Sequence, residues 1–346
     1  MKNLKCLLFM AIALVMASCD PTPEPDPEPT SRGEGVFVLS EGTFGNANSS
    51  LSFYDYKEDT IYNNIFELVN QVPLGDVAQS ITIKDNSLYI VVNNSKYIYK
   101  VNKETIEFES KIENFYSPRF IHFVNDNKAY VSDIVGTGLW VINPSTMEHV
   151  KFIETGKSTE KMVQIDNELF VVNWSNFYTP DAENNTVQVI NTDTDEMTAE
   201  ITVTKEPNSI VVDKNNNIWV LCSDGYTGEV TPTLYCIEAA SKQVKKSIEI
   251  QGYPGNLAID NTGTTLYFIN GGIYNMSIND ETPSALIAVG VGQYFYNIAV
   301  DPKNGDLFVT DAKDFNVDGK LFHYSKTGTL LDSCTVGICP SAMAFN

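Results

Sequence analysis

Residues 172–180 read VNWSNFYTP and set Trp174, Phe177 and Tyr178 among Asn, Ser, Thr and Pro, residue types that otherwise mark a loop. Flat rings held in a loop can wall in a large, partly apolar ligand while neighbouring amides fix its polar groups. The same mixture recurs: Phe44 in SEGTFGNANSS, Tyr226 in CSDGYTGEVTPT, Tyr274 in NGGIYN and Phe315 in DAKDFNVDGK. Tyr116 and Arg119 lie in FYSPRF, Tyr253 in GYPGN, and Tyr294 and Tyr296 in GQYFYN. The chemistry offered by these residues is recognition.

Bond-making chemistry has less support. The sequence holds no G-x-S-x-G elbow, no H-E-x-x-H helix and no P-loop. Its three histidines, His122, His149 and His323, are too scattered to suggest a metal cluster. DFNVDG at Asp314 opens like a calcium loop, but the position where an EF-hand requires Glu holds Ser325, so a tight Asp/Gly turn is expected. Asp133, Asp224 and Asp311 are the carboxylates able to pair on one face.

These loops must be positioned by something, and a repeat supplies it. An apolar strand stopped by Asn or Asp recurs as SITIKD at 80, FIHFVN at 120, KMVQID at 161, SIVVDK at 209, NLAIDN at 256, NIAVDP at 297 and AMAFN at 342. A second strand follows as LYIVVN, AYVSD, LFVVN, IWVLC, LYFIN and LFVTD, with a seventh copy, VFVLS, at 36. Third strands run into Asn-led turns, as in VQVINTDTDEMT, and fourth strands such as AEITV or KSIEI close the unit. Copies recur at roughly 40 to 48 residues, the spacing of four-stranded propeller blades. The N-terminus lacks an innermost strand and the C-terminus ends with a spare one, so the two halves complete a blade and leave no open edge. The expected fold is all-β: a seven-bladed β-propeller over residues 35–346, its ring closed by the C-terminal strand.

Two recurring positions read as packing. An aromatic stands at one place in every second strand, at Phe37, Tyr89, Tyr130, Phe170, Trp219, Tyr267 and Phe308. The centre of the first strand holds mostly small residues, Thr82, Val163, Val211, Ala258, Ala299 and Ala344, with His122 expected as a hydrogen-bonded core histidine. Inner strands of this kind offer mostly apolar or small side chains to an axial channel.

Up-and-down blades place the loops joining second to third strands, and the crossings between blades, on one face, the top. Every aromatic loop named above belongs there, over a ring of strand-end residues, Ser40, Asn93, Asp133, Asn173, Asn270 and Asp311. The bottom turns KDNS, DKNNN, DNTGTT and DPKNGD are short and polar. A ligand site is therefore expected on the top, formed by Phe44, Tyr116, Arg119, Asp133, Asn173, Trp174, Phe177, Tyr178, Tyr226, Tyr253, Tyr274, Tyr294, Tyr296 and Phe315, with no catalytic or metal-ligating residue.

The ends and the charge add context. MKNLKCLLFMAIALVMASC has the charged, apolar, small-residue order of a secretory signal. VMASC resembles a bacterial lipobox, so residues 1–18 are expected to be removed and Cys19 lipidated. Residues 19–34 alternate Pro with acidic residues and read as an extended spacer, similar to a surface-export signal. A net charge of −21 argues against nucleic acid as a partner. Cys222 with Cys236, and Cys334 with Cys339, are close enough in sequence for local bridges, which cysteine count alone does not establish.

The blade pattern PNSIVVDKNNNIWVLCS, its counterparts through residues 36–346 and the lipobox resemble the YncE-like seven-bladed surface lipoproteins of Bacteroidota, and the layout is similar to the BtuG-type group among them. That resemblance implies a non-enzymatic protein, lipid-anchored in the outer membrane and facing outward. It also implies a corrinoid ligand, cobalamin or a relative, passed to a TonB-dependent transporter. Aromatics would then meet the macrocycle, and Asn, Gln and Arg its propionamides and phosphate, with no cobalt ligand from the protein. Two alternatives stand beside it: an adhesion or glycan-binding propeller, and a metal-dependent lactonase- or lyase-type propeller.

Overall fold

Short β-branched and aromatic runs separated by Asn, Asp and Gly cannot continue as helices, and each becomes a strand ended by its own turn chemistry. The computed structural model describes residues 32–178, 180, 182–223 and 228–346. The signal segment, Cys19, most of the spacer, Asp224 and Tyr226 lie outside the described residues.

Among the described residues, twenty-eight strands form seven four-stranded antiparallel sheets arranged in a ring. Within a blade, order in space follows order in the chain. The fifth blade runs Pro207–Val212, Asn217–Cys222, Thr233–Glu238 and Gln243–Glu249, with Val211 opposite Trp219 and Trp219 opposite Cys236. The first blade is the exception. Its innermost strand is Pro340–Phe345, paired antiparallel with Gly35–Ser40 so that Phe37 faces Ala344 and Val38 faces Met343. Backbone bonds beyond the strands extend this seam: Glu41 N–H donates to Cys339 O at 2.9 Å and Asn346 N–H to Gly35 O at 2.9 Å.

The core lies between blades. All seven recurring aromatics of the second strands are buried there. Trp219, for example, packs with Leu257, Leu266 and Phe268 of the next blade while its indole N–H donates to Asp213 at 2.9 Å. A polar tip on a large apolar body needs such a partner when buried. On the bottom, the same Asp213 and Asp260 accept the backbone N–H groups of their own turns, at 2.8 Å from Asn215 and 2.7 Å from Thr264. On the top, Asp314 caps its own turn in the same way, accepting from the backbones of Asn316 and Val317.

Two features were left open by the sequence. The crossing from the first to the second blade contains a helix, Ile65–Asn70, that buries Ile65 and sets Phe66 against Tyr99, ring centres 5.1 Å apart. The four described cysteines are free thiols. Cys222 packs with Val220 and Ile237 on one side of its sheet and Cys236 with Trp219 and Leu234 on the other, so their side chains diverge. Cys334 lies inside the strand Leu330–Ile338 and Cys339 follows its end, so roughly 13 Å of strand already separates Cys334 from Ile338, where a disulfide tolerates about 7 Å between Cα atoms.

Closure by the last strand predicts that a chain ending at Ile338 loses cooperative unfolding near the wild-type midpoint, because removing the inner strand exposes the edge of Gly35–Ser40 and forfeits much of a total stability of about 5–15 kcal/mol. Thermal circular dichroism checks this. An unchanged melt would show that the seam is dispensable.

Candidate ligand-binding site

The ring of strand-end polar residues turns out to hold the fold. Asp133 is 0% exposed and accepts five N–H groups, from the backbones of Tyr116, Ser117, Val135 and Gly136 and from the Trp140 indole. Asn173 is buried too, donating to Ser158 O at 2.9 Å and to Gln188, and accepting from Thr186 at 2.8 Å. Asn270 staples the crossing from the fifth to the sixth blade, accepting from Tyr253 N–H at 2.9 Å and donating to Gln251 O. There Gly252 has φ +109°, and a Cβ on it would sit 2.4 Å from the Asn270 amide oxygen, so only glycine allows the approach. Asp133 and Asn173, expected at the ligand, are spent on the backbone of the loops that carry it.

The aromatics divide into three groups. Tyr274 is half-buried and stacked on Phe268, ring centres 5.8 Å apart, as part of the wall between blades. Phe44, Tyr116, Phe177, Tyr178, Tyr253, Tyr294 and Phe315 are exposed, Phe177 by 78% and Tyr253 by 81%. Only one other aromatic among the described residues is comparably exposed, Phe108 on an outermost strand, so exposed rings belong to the top face. Trp174 and Tyr296 form the third group and, with Arg119, line a cavity.

That cavity, about 340 Å³, is the upper end of the axial channel, and every blade contributes to its wall. Glu41 and Ser341 come from the first blade, Gln79 from the second, Arg119 and Phe120 from the third, and Glu160, Lys161 and Trp174 from the fourth. Glu206, Asn208 and Ser223 come from the fifth blade, Asn256 from the sixth, and Tyr296 and Asn297 from the seventh. The inner strands are small or apolar at their centres but polar and charged at their top ends. The expectation of an apolar channel fails there.

Arg119 is the hub. Its Nε donates to Glu160 Oε1 at 2.7 Å, its Nη1 donates to Gln79 Oε1, and its guanidinium lies 5.8 Å from the centre of the Trp174 ring. Burial pushes the Glu160 carboxyl above its usual range, and Arg119 pulls it part of the way back. Burial likewise raises Glu41, which Arg119 opposes. Lys161 donates to Asn256 Oδ1 at 3.2 Å and lies 5.9 Å from the Phe120 ring. Burial pushes its ammonium down to about 8, and the carboxylate of Glu160 resists. Burial and the Glu41 carboxylate raise the Tyr296 hydroxyl well above its usual value, so it stays a donor. The arrangement suits recognition of a charged or strongly polar group in a low dielectric. Among the described residues, no three His, Cys, Asp or Glu side chains are placed to hold a metal.

Gln79, Glu160, Asn208 and Ser341 were not singled out from sequence, yet a signal was present. Counting three residues back from the central position of each inner strand gives Gln79, Arg119, Glu160, Asn208, Gly255, Tyr296 and Ser341, and all seven line the cavity. Arg119 is also one of only two arginines in the sequence.

The family described as "Domain of unknown function (DUF5074)" matches residues 34–331. The chain belongs to this family. Among solved structures, the DUF5074 propeller is similar to a quinonprotein alcohol dehydrogenase-like protein (BT1487) from Bacteroides thetaiotaomicron, at TM-score 0.71 and 17% identity over 91% of this chain and 79% of that one. A Lactobacillus plantarum protein gives TM-score 0.66 and 11% identity over 91% and 100%. Kuenenia stuttgartiensis hydrazine synthase gives 0.63 and 14% over 77% and 88%. At these identities the likeness is one of fold. No curated protein matches the sequence.

Two outcomes follow from the division of labour in this DUF5074 propeller. Asp133→Ala should cost more than about 3 kcal/mol, because five donors, all of them buried or part-buried, lose one acceptor, whereas Phe177→Ala should change stability by less than about 0.5 kcal/mol; urea unfolding measures both. Lys161 gives up its proton near 8 when folded and near 10.4 when unfolded, so between these values the unfolded chain binds more protons and stability rises with pH. Lys161→Met should abolish that rise in denaturation curves taken from pH 8 to 10.

Proposed function

We propose that this propeller captures an organic ligand at the mouth of its axial channel and binds it without transforming it. One observation carries the reading: the exposed rings gather on the face where all seven blades also turn charged and amide side chains into a cavity. Exposed apolar patches on a soluble domain mark interaction sites, and a flat aromatic rim with a few convergent polar groups suits a large ligand with a polar end.

A corrinoid is our first candidate. The cavity is near the small end of ligand pockets, so the macrocycle would rest on the rim rings and insert one substituent toward Arg119, Asn208 and Asn256. The lipobox and acidic spacer support placement at the outer surface of the outer membrane through Cys19, with release to a TonB-dependent transporter as the matching next step. A glycan is the second reading, supported by exposed Tyr178 and Tyr253, whose faces can stack on sugar rings.

Titration with cyanocobalamin, beside an oligosaccharide array, tests both. Trp174→Ala combined with Tyr178→Ala should weaken binding about tenfold to a hundredfold, the scale of aromatic anchors at an interface, with the thermal midpoint nearly unchanged. Failure of every probe at micromolar concentration would sink the proposal. A large loss of stability would instead assign these two rings to the core.

A further inference from the structure

We propose that the channel-mouth cavity receives a primary ammonium group carried by its ligand, held by Glu160 and Glu41. The inference rests on the reading that the top face captures a ligand and does not depend on that ligand being a corrinoid.

Glu160 is 3% exposed and lines the cavity, and its Oε1 accepts from Arg119. Its Oε2 is buried with no hydrogen-bond partner. A carboxylate oxygen withdrawn from water without a donor is costly, and native structures keep few of them. Glu41, across the ring, has the hydroxyls of Tyr296 and Ser341 and the thiol of Cys339 as neighbours, and burial still holds its carboxyl above the usual range. The Tyr296 hydroxyl reaches its Oε1 at 3.4 Å and the Cys339 thiol its Oε2 at 3.4 Å. A good O–H···O bond spans about 2.5–3.0 Å, so the hydroxyl contact is weak.

The local cations meet this demand only in part. Arg119 is committed to Glu160 Oε1 and Gln79, and Lys161 to Asn256. Three glutamates, Glu41, Glu160 and Glu206, stand against these two cations in the cavity wall. An anion would meet that excess of negative charge, and a neutral hydroxyl would supply one donor without cancelling any of it. A divalent metal would face Arg119 and Lys161 with no trio of ligating side chains around it. A compact –NH3⁺ group supplies the missing charge and three donors, with Trp174 and Tyr296 beside it to cover the attached methylenes.

The test is calorimetry of the purified protein with n-butylamine. Comparators are 1-butanol, which lacks the charge, trimethylbutylammonium, which lacks the donors, and acetate, which reverses the sign. Only butylamine should bind measurably. Glu160→Gln and Glu41→Gln should each weaken it about tenfold or more, as expected for a lost charge-assisted hydrogen bond. Two variants guard against misfolding of either one, which circular dichroism detects. Equal or tighter binding of butanol, trimethylbutylammonium or acetate overturns the inference. So does amine affinity unchanged in both folded variants, or no amine binding at all. Cyanocobalamin titrated into the same samples separates the two proposals: corrinoid binding without amine binding removes this inference and leaves the capture reading intact.

Discussion

Everything in this molecule depends on one pairing, that of the last strand with the first. Seven twisted sheets can share an axis only if the innermost strand of each blade has a neighbour outside it, and the first blade obtains its own from residues 340–345. With the ring closed, the recurring aromatics of the second strands are buried between blades. Without closure, that apolar surface and two strand edges would face water. Closure also sets the width of the axial channel, and so brings residues as distant in sequence as Glu41, Arg119, Glu160 and Tyr296 into one cavity.

That geometry explains why charge can be kept at the centre. Buried carboxylates and ammonium groups lower stability unless they are well paired, and those around Arg119 are only partly paired. The interfaces between blades carry the fold independently, so a partly paired cavity of this kind is tolerated. Strand-end residues play the complementary part. Asp133, Asn173 and Asn270 fix the backbones of the top loops, which leaves the ring-bearing side chains of those loops free to face outward.

The blade count, the closure and the aromatic packing column were legible in the sequence because each is a local pattern repeated at a fixed spacing, with strands of period two and turns of recognisable chemistry. The helix at Ile65–Asn70 was not, because it occurs once and is too short for a periodic signal. At the site, the aromatic asymmetry between faces could be read directly from loop composition. The targets of polar side chains could not. Asp133 and Asn173 look alike whether they meet a ligand or the protein itself, and the structure gives Asp133 to backbone N–H groups and Asn173 to the Ser158 carbonyl and the side chains of Thr186 and Gln188. Glu160 and Lys161 have no sequence neighbours that set them apart from solvated charges. Only the convergence of seven inner strands shows that they are enclosed. Membership in the DUF5074 family and the fold of its Bacteroides neighbour leave the ligand open, since propellers of one architecture host many functions.

The central claim is that the ligand sits at the top mouth of the channel. Crystals of the protein soaked separately with cyanocobalamin, a primary amine and a short glycan would test it most directly. The account predicts ligand density touching Arg119, Trp174 or Tyr296 in at least one soak, with the bottom turns bare. Density confined to the bottom turns or the outermost strands, or no bound ligand in any soak, would contradict it.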